Sequence, residues 1–130
     1  MPTIFTKIIQ GEIPCYKIAE DENYFAFLDI NPLAKGHTLV IPKAEVDNIF
    51  DLDEETYSGL FLFAQRIAKA MKPHFDCRKI GIAVIGLEVP HAHIHLVPIN
   101  GVYDIDFKKP KIKLTQEEFI EIVQKIQSSL

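Results

Sequence analysis

Apolar residues along the 130-residue chain change spacing several times, and each change marks an element. Ile4, Phe5, Ile8 and Ile9 recur at helical spacing, and Gly11 stands where a helix would stop, which predicts a short N-terminal helix. Tyr16 to Ala19 and Tyr24 to Leu28 are β-prone runs around the polar Glu20-Asp21-Glu22-Asn23 and predict a hairpin, followed by a turn at Asn31-Pro32. His37 to Ile41 is nearly continuous apolar sequence between Gly36 and Pro42, the pattern of a central strand buried on both faces. Acidic residues from Asp51 to Glu55 precede Tyr57, Leu60, Phe61, Ala64, Ile67, Ala68 and Met71, which predicts the longest helix, ended by Pro73. Ile80 to Ile85 and Ala92 to Val97 read as two more strands, paired antiparallel across the segment from Gly86 to Pro90. Thr115 and Glu118 form a capping box ahead of the stripe Phe119, Ile120, Val123 and Ile126, which predicts a C-terminal helix. The class expected is α+β: a mostly antiparallel five-stranded sheet, a long helix packed on it, and short helices at both ends. The helical stripes are read as core contacts rather than ligand surfaces.

Composition narrows the function. The chain is 48% hydrophobic and 25% charged, without repeats, so residues 1–130 are expected to form a single domain. A net charge of −4 argues against nucleic acid as a partner, because nonspecific affinity for polyanions needs a basic face. A small anionic ligand needs only a few local donors and stays possible. Cys15 and Cys77 lie far apart without Cys-x-x-Cys spacing, which leaves neither a disulfide framework nor a thiolate metal site. No segment approaches the roughly 20 apolar residues that span a bilayer, and the N-terminus lacks a basic stretch followed by an apolar run. No membrane partner is expected, and the cytoplasm is the expected location.

Three of the five histidines fall at alternate positions of His91-Ala92-His93-Ile94-His95. In extended backbone this puts three imidazoles on one face and Ala92, Ile94 and Leu96 on the other. Three readings are open on this pattern. The rings are buried histidines satisfied by hydrogen bonds, although desolvating three without a purpose is costly. Alternatively they bind a metal, but over a strand the outer α-carbons lie roughly 13 Å apart, too far for one ion with bonds of about 2 Å to all three. Two of them would then need partners from elsewhere, His37 among them. In the third reading they perform nucleophilic and acid–base chemistry on a phosphate, one ring attacking and its neighbours fixing tautomer and charge. His74, in a polar turn, reads as exposed.

The run His91-Ala92-His93-Ile94-His95-Leu96-Val97 resembles His-φ-His-φ-His-φ-φ, with φ apolar, the signature of the histidine triad (HIT) family. The resemblance extends through Ile4 to Ile9, Gly11 to Pro14, Ala26 to Pro32 and Gly36 to Lys43. These blocks stand in the family's order over about residues 3–98 and leave 99–130 as a C-terminal extension with a helix. The resemblance implies a Hint-like nucleotidyl hydrolase or transferase acting on purine nucleoside 5′-phosphoramidates or dinucleoside polyphosphates. In such enzymes the middle histidine, matched by His93, attacks the α-phosphorus to give a nucleotidyl-histidine that water cleaves. By the same resemblance His91 and His95 orient the nucleophile and contact phosphate or leaving group, and His37 helps hold the nucleophile. Asp29 binds the ribose hydroxyls, and Ile4, Phe5, Ile8 and Phe27 wall the base. No cofactor or catalytic metal is implied, and the family forms homodimers with sheets continuing across the interface.

The chain departs from the family in two places. Many relatives hold zinc with two N-terminal cysteines and further histidines; here Thr3, Thr6 and Glu45 occupy those positions, so no structural zinc is expected. Ahead of the triad, relatives carry asparagine, a glycine-rich loop and Gly-Gln-Ser/Thr, whereas this chain has the shorter run from Ile82 to Val89. Backbone amides around Gly86 would still hold a phosphoryl oxygen, while Glu88 would repel an anion. The competing expectation is therefore a nucleotide-binding module that turns over weakly.

Overall fold

The computed structural model describes residues 2–130. Helix α1 (Ile4–Ile9) is capped by Thr3, whose side chain accepts from the Thr6 amide, and the chain leaves it through Gly11 at φ +82°. Strands β1 (Lys17–Glu20) and β2 (Tyr24–Leu28) form the expected hairpin. Strand β3 (Thr38–Pro42) precedes helix α2 (Glu54–Met71), where Asp53 caps the Thr56 amide and Glu54 and Glu55 lie at the positive end of the helix dipole. Strands β4 (Lys79–Ala83) and β5 (Ile94–Ile99) follow, then helix α3 (Gln116–Gln127), whose Thr115–Glu118 capping box is formed. All pairings are antiparallel, in the order β1-β2-β3-β5-β4.

The two apolar runs of β2 and β3 are explained by the layers on either side. Tyr24, Ala26, Leu28 and Val40 point toward α2 and α3 and pack with Leu60, Ala64, Ile67, Phe119 and Ile126. Phe25, Phe27, Leu39 and Ile41 point the other way and pack with Phe5 of α1. Each strand therefore alternates between two apolar layers, because both of its faces are covered, and the one polar residue of β3, Thr38, is buried with its hydroxyl donating to the Gly36 carbonyl. Cross-strand partners share a face, so the pairs Leu39 with His95 and Val40 with Ile94 put His95 on the α1 side and Ile94 on the α2 side. Among the described residues no helix is long and apolar enough to cross a membrane.

Gly59 lies in the interior of α2, where glycine is ordinarily a weakness. A Cβ there would lie 2.0 Å from the Tyr24 hydroxyl and 2.7 Å from its Cζ, and that hydroxyl donates to the Thr56 carbonyl. Gly59→Ala gains about 1 kcal/mol of helix propensity but overpacks a rigid ring at a cost of about 1–3 kcal/mol and strains a buried hydrogen bond. A net loss of stability is expected in urea unfolding, opposite in sign to the usual effect of this substitution in a helix.

Candidate active site

The triad enters the sheet gradually. The ladder with β3 begins at Ile94, not at Ala92 as the pattern predicts: its last pair is Val40 with Ile94, although β3 itself runs on to Pro42 beside β2. His91 and Ala92 are extended but held elsewhere: the His91 amide donates to the Val89 carbonyl at 2.8 Å and the Ala92 amide to the Val46 carbonyl at 2.7 Å. Alternation survives without a ladder, since it depends on extended backbone alone. Ala92, Ile94 and Leu96 are in the core against α2, while the three imidazoles share the α1 face, with His93 and His95 ring centres 4.9 Å apart.

Buried hydrogen bonds set the tautomer of each ring. The Pro42 carbonyl accepts from His91 Nε2 at 2.8 Å, so His91 Nδ1 is the acceptor, and the Thr3 hydroxyl donates to it at 2.8 Å. The His91 carbonyl accepts from His93 Nδ1 at 2.8 Å, which leaves the lone pair of the neutral His93 ring on Nε2. The Leu33 amide donates to His37 Nδ1 at 3.0 Å; His37 Nε2 then carries the proton and donates to His95 Nδ1 at 3.0 Å. His95 in turn carries its proton on Nε2. His93 thus presents a lone pair on Nε2, and its neighbour His95 a proton. Burial keeps the supporting rings neutral, with His37 pushed down to about 4, helped by the Lys111 charge, and His95 down to about 3.

His93 and His95 open onto a pocket of about 370 Å³, within the range of small-molecule sites. Ile4, Phe5, Ile8 and Phe27 form one wall, with Leu39 beneath them. Asp29, Gly86 and Glu88 also line it, so every substrate-side position singled out in the sequence reaches the same cavity. His91 and His37 do not line it: both are almost fully buried, the His91 carbonyl bonded to His93 and the His37 ring to His95. Asp29 is partly committed, since Oδ1 accepts from the Asn31 amide at 2.8 Å and Oδ2 lies 3.6 Å from His37 Nε2. Burial raises its pKa above the usual carboxylate value.

Sequence reasoning missed Phe107, whose ring stands edge-on to His95 with ring centres 4.6 Å apart and lines the same pocket. It belongs to the segment after β5 and is carried there by tertiary bonds, including the Ile112 amide to the Pro32 carbonyl. No periodicity marks it. His74, expected to be simply exposed, is half-buried and bonded to Ser129 Oγ.

Asp29, His37 and His95 each offer a donor atom within 4.8 Å of the others, close enough to serve one metal ion. The proton positions oppose that use. With the Leu33 amide donating to Nδ1, His37 could give Nε2 to a metal only as an imidazolate or by breaking that bond. Thr3, Thr6 and Glu45 do meet in space, yet as hydrogen-bonded oxygens rather than the thiolate and imidazole set that structural zinc takes.

Residues 10–101 match the family model of the HIT domain. The chain is 33% identical over 132 residues to the adenosine 5′-monophosphoramidase hnt1 of Schizosaccharomyces pombe, covering 100% of this chain and 99% of that protein. It is 40% identical over 108 residues to Protein hit of Bacillus subtilis, covering 78% and 73% of the two. A crystal structure of a Hit-like protein involved in cell-cycle regulation, from Bartonella henselae, superposes with a TM-score of 0.85 at 35% identity, covering 98% of this chain and 96% of that one.

The neutral rings make stability depend on pH in a definite direction. In the unfolded chain a histidine titrates near 6.5, whereas folded His37 and His95 do so only near 4 and 3, and His91 is lowered too. Between these values the unfolded state binds more protons, so stability falls as pH drops from about 6.5 toward 4. The raised pKa of Asp29 works in the opposite sense, but as one group against three. Urea midpoints should decline from pH 7 to pH 5, and His37→Gln should show a shallower slope; an unchanged slope would place the proton uptake elsewhere.

Proposed function

The chain belongs to the HIT family, and from that premise we propose that it is a nucleotidyl hydrolase or transferase acting on purine nucleoside 5′-phosphoramidates through a covalent intermediate on His93. The observation that carries this reading is the bond from His93 Nδ1 to the His91 carbonyl, which leaves Nε2 unprotonated in the pocket. In the proposed reaction Nε2 attacks the α-phosphorus as the bond to the leaving nitrogen breaks, and the amine departs with a proton taken from a water molecule in the open pocket. Water then cleaves the phosphorus–nitrogen bond, releasing the nucleoside monophosphate and restoring His93. His95 presents an Nε2 proton to the phosphoryl oxygens, a neutral donor kept so by burial. Asp29 is positioned for the ribose hydroxyls, and the base lies between Phe5, Ile8 and Phe27.

Between the two substrate classes, the wall formed by Leu87, Glu88 and Phe107 favours phosphoramidates. A polyphosphate leaving group would bring further negative charge past a carboxylate and apolar side chains, whereas an amine does not. The name of the fission-yeast relative agrees with this class. Glu88 is also the observation behind a second reading, a nucleotide-binding module with little turnover.

Mixed with an adenosine phosphoramidate and quenched early, the protein should carry an adenylyl adduct by intact mass. His93→Ala should abolish the adduct and lower kcat/KM on the order of 10³-fold or more. Nucleotide binding without adduct or amine release would favour the binding module.

A second copy of the chain is proposed along β4, whose outer edge pairs with no strand among the described residues, and where Ile82 and, just past its end, Val84 and Ile85 are 51%, 38% and 49% exposed. Light scattering should give the mass of a dimer, and Ile82→Lys should shift it toward the monomer.

A further inference from the structure

Among the described residues, His91 is the only member of the triad with both ring nitrogens spent on other parts of the protein, and one of those partners comes from far away. Thr3 accepts from the Thr6 amide at 3.1 Å as the cap of α1, but its hydroxyl proton goes to His91 Nδ1, 88 residues on, in a buried bond of 2.8 Å. Its other hydroxyl neighbour, Thr6 Oγ1, is more distant at 3.3 Å. Thr3 is itself held in place. Its amide donates to Glu45 Oε1 at 2.7 Å, and the Thr6 hydroxyl donates to the same oxygen at 2.6 Å. With Pro42 at the opposite nitrogen, the His91 ring can neither rotate nor exchange tautomers without losing a buried bond.

We propose that Thr3, anchored by Glu45, is a positioning residue for the nucleophile and sets the proton of His93 through His91. The carbonyl that fixes the His93 tautomer belongs to the residue whose ring Thr3 holds. Without the hydroxyl, His91 Nδ1 becomes an unpartnered buried acceptor; the ring turns to find a donor, and its backbone moves with it. The acceptor for His93 Nδ1 is then displaced, and the proton shifts in part to Nε2, where it blocks attack. Phe5, two residues after the same cap, packs edge-on against both rings at 5.7 and 5.1 Å, so a displaced α1 reaches His93 by a second route. The kinetic part of this inference rests on the reading of His93 as nucleophile; the geometric part does not.

The test compares Thr3→Val, which keeps the shape and removes the hydroxyl, with Thr3→Ser, which keeps the hydroxyl. Long-range proton–nitrogen NMR of the full-length protein reads the ring tautomers, and steady-state kinetics on an adenosine phosphoramidate reads turnover. In wild type His93 should carry its proton on Nδ1 and His91 on Nε2. Thr3→Val should shift His93 toward a mixture and lower kcat by about tenfold or more with KM unchanged, and Thr3→Ser should restore both. A Thr3→Val protein with the wild-type His93 spectrum and kcat overturns the proposal, as does a Thr3→Ser protein that loses as much as Thr3→Val. If wild type releases no amine, the nucleophile assignment fails and the ring spectra still decide the positioning. Should Thr3→Val not fold, Glu45→Ala alters only an exposed side chain and should shift the His93 tautomer in the same direction; an unchanged spectrum there counts against the idea.

Discussion

A histidine ring attacks with one nitrogen and donates with the other, and the site proton on each ring is therefore the quantity that the rest of this molecule controls. Four rings are involved: for His37, His91 and His93 a backbone group that does not titrate sets the choice, and His95 takes its proton position from His37. The Leu33 amide fixes His37, His37 fixes His95, the Pro42 carbonyl fixes His91, and the His91 carbonyl fixes His93. Backbone amides and carbonyls serve this purpose better than side chains, because they titrate at no accessible pH and are tied into the sheet. Under the proposed reaction the family's repeated histidines take three different tasks: nucleophile, donor and backbone support.

This control needs the sheet to be covered on both sides. On the α2 side, Ala92, Ile94 and Leu96 are locked into a core with Leu60, Ala64 and Ile67, which fixes the backbone from which the three imidazoles project. On the α1 side, Phe5, Phe27 and Leu39 exclude water from around His91 and His93 yet leave an opening at Ile4, which is 49% exposed. Close packing in the first layer supplies position, and incomplete packing in the second supplies a pocket.

Much of this was legible in the sequence, for identifiable reasons. The buried β3 run, the capped α2 and the alternating triad depend on local periodicity, and each is found within a few residues of its expected bounds. The grouping of His93, His95 and Asp29 with the apolar wall came from the family resemblance, and the pocket unites them. What could not be read was tertiary. The Leu33 amide has no side-chain signature, Phe107 is in an irregular segment, and Thr3 is recognisable as a helix cap but not as the partner of a ring 88 residues away. The resemblance gave His91 and His95 one shared role, orienting the nucleophile and contacting phosphate or leaving group; burial separates them, since His93 and His95 line the cavity and His91 does not.

Keeping these rings neutral has a cost that falls on the fold. A buried imidazole without charge gives up the hydration that its protonated form would enjoy in the unfolded chain, which is why His37 and His95 resist protonation so strongly. Exposing them would relieve that cost, but a solvated His95 would take up a proton near neutral pH and lose the acceptor that ties it to His37. A solvated His37 would in turn release Leu33. The depressed titration and the ordered chain of donors are therefore one property seen in two ways: the same burial that lowers stability in acid keeps every proton in the arrangement on a single, defined nitrogen.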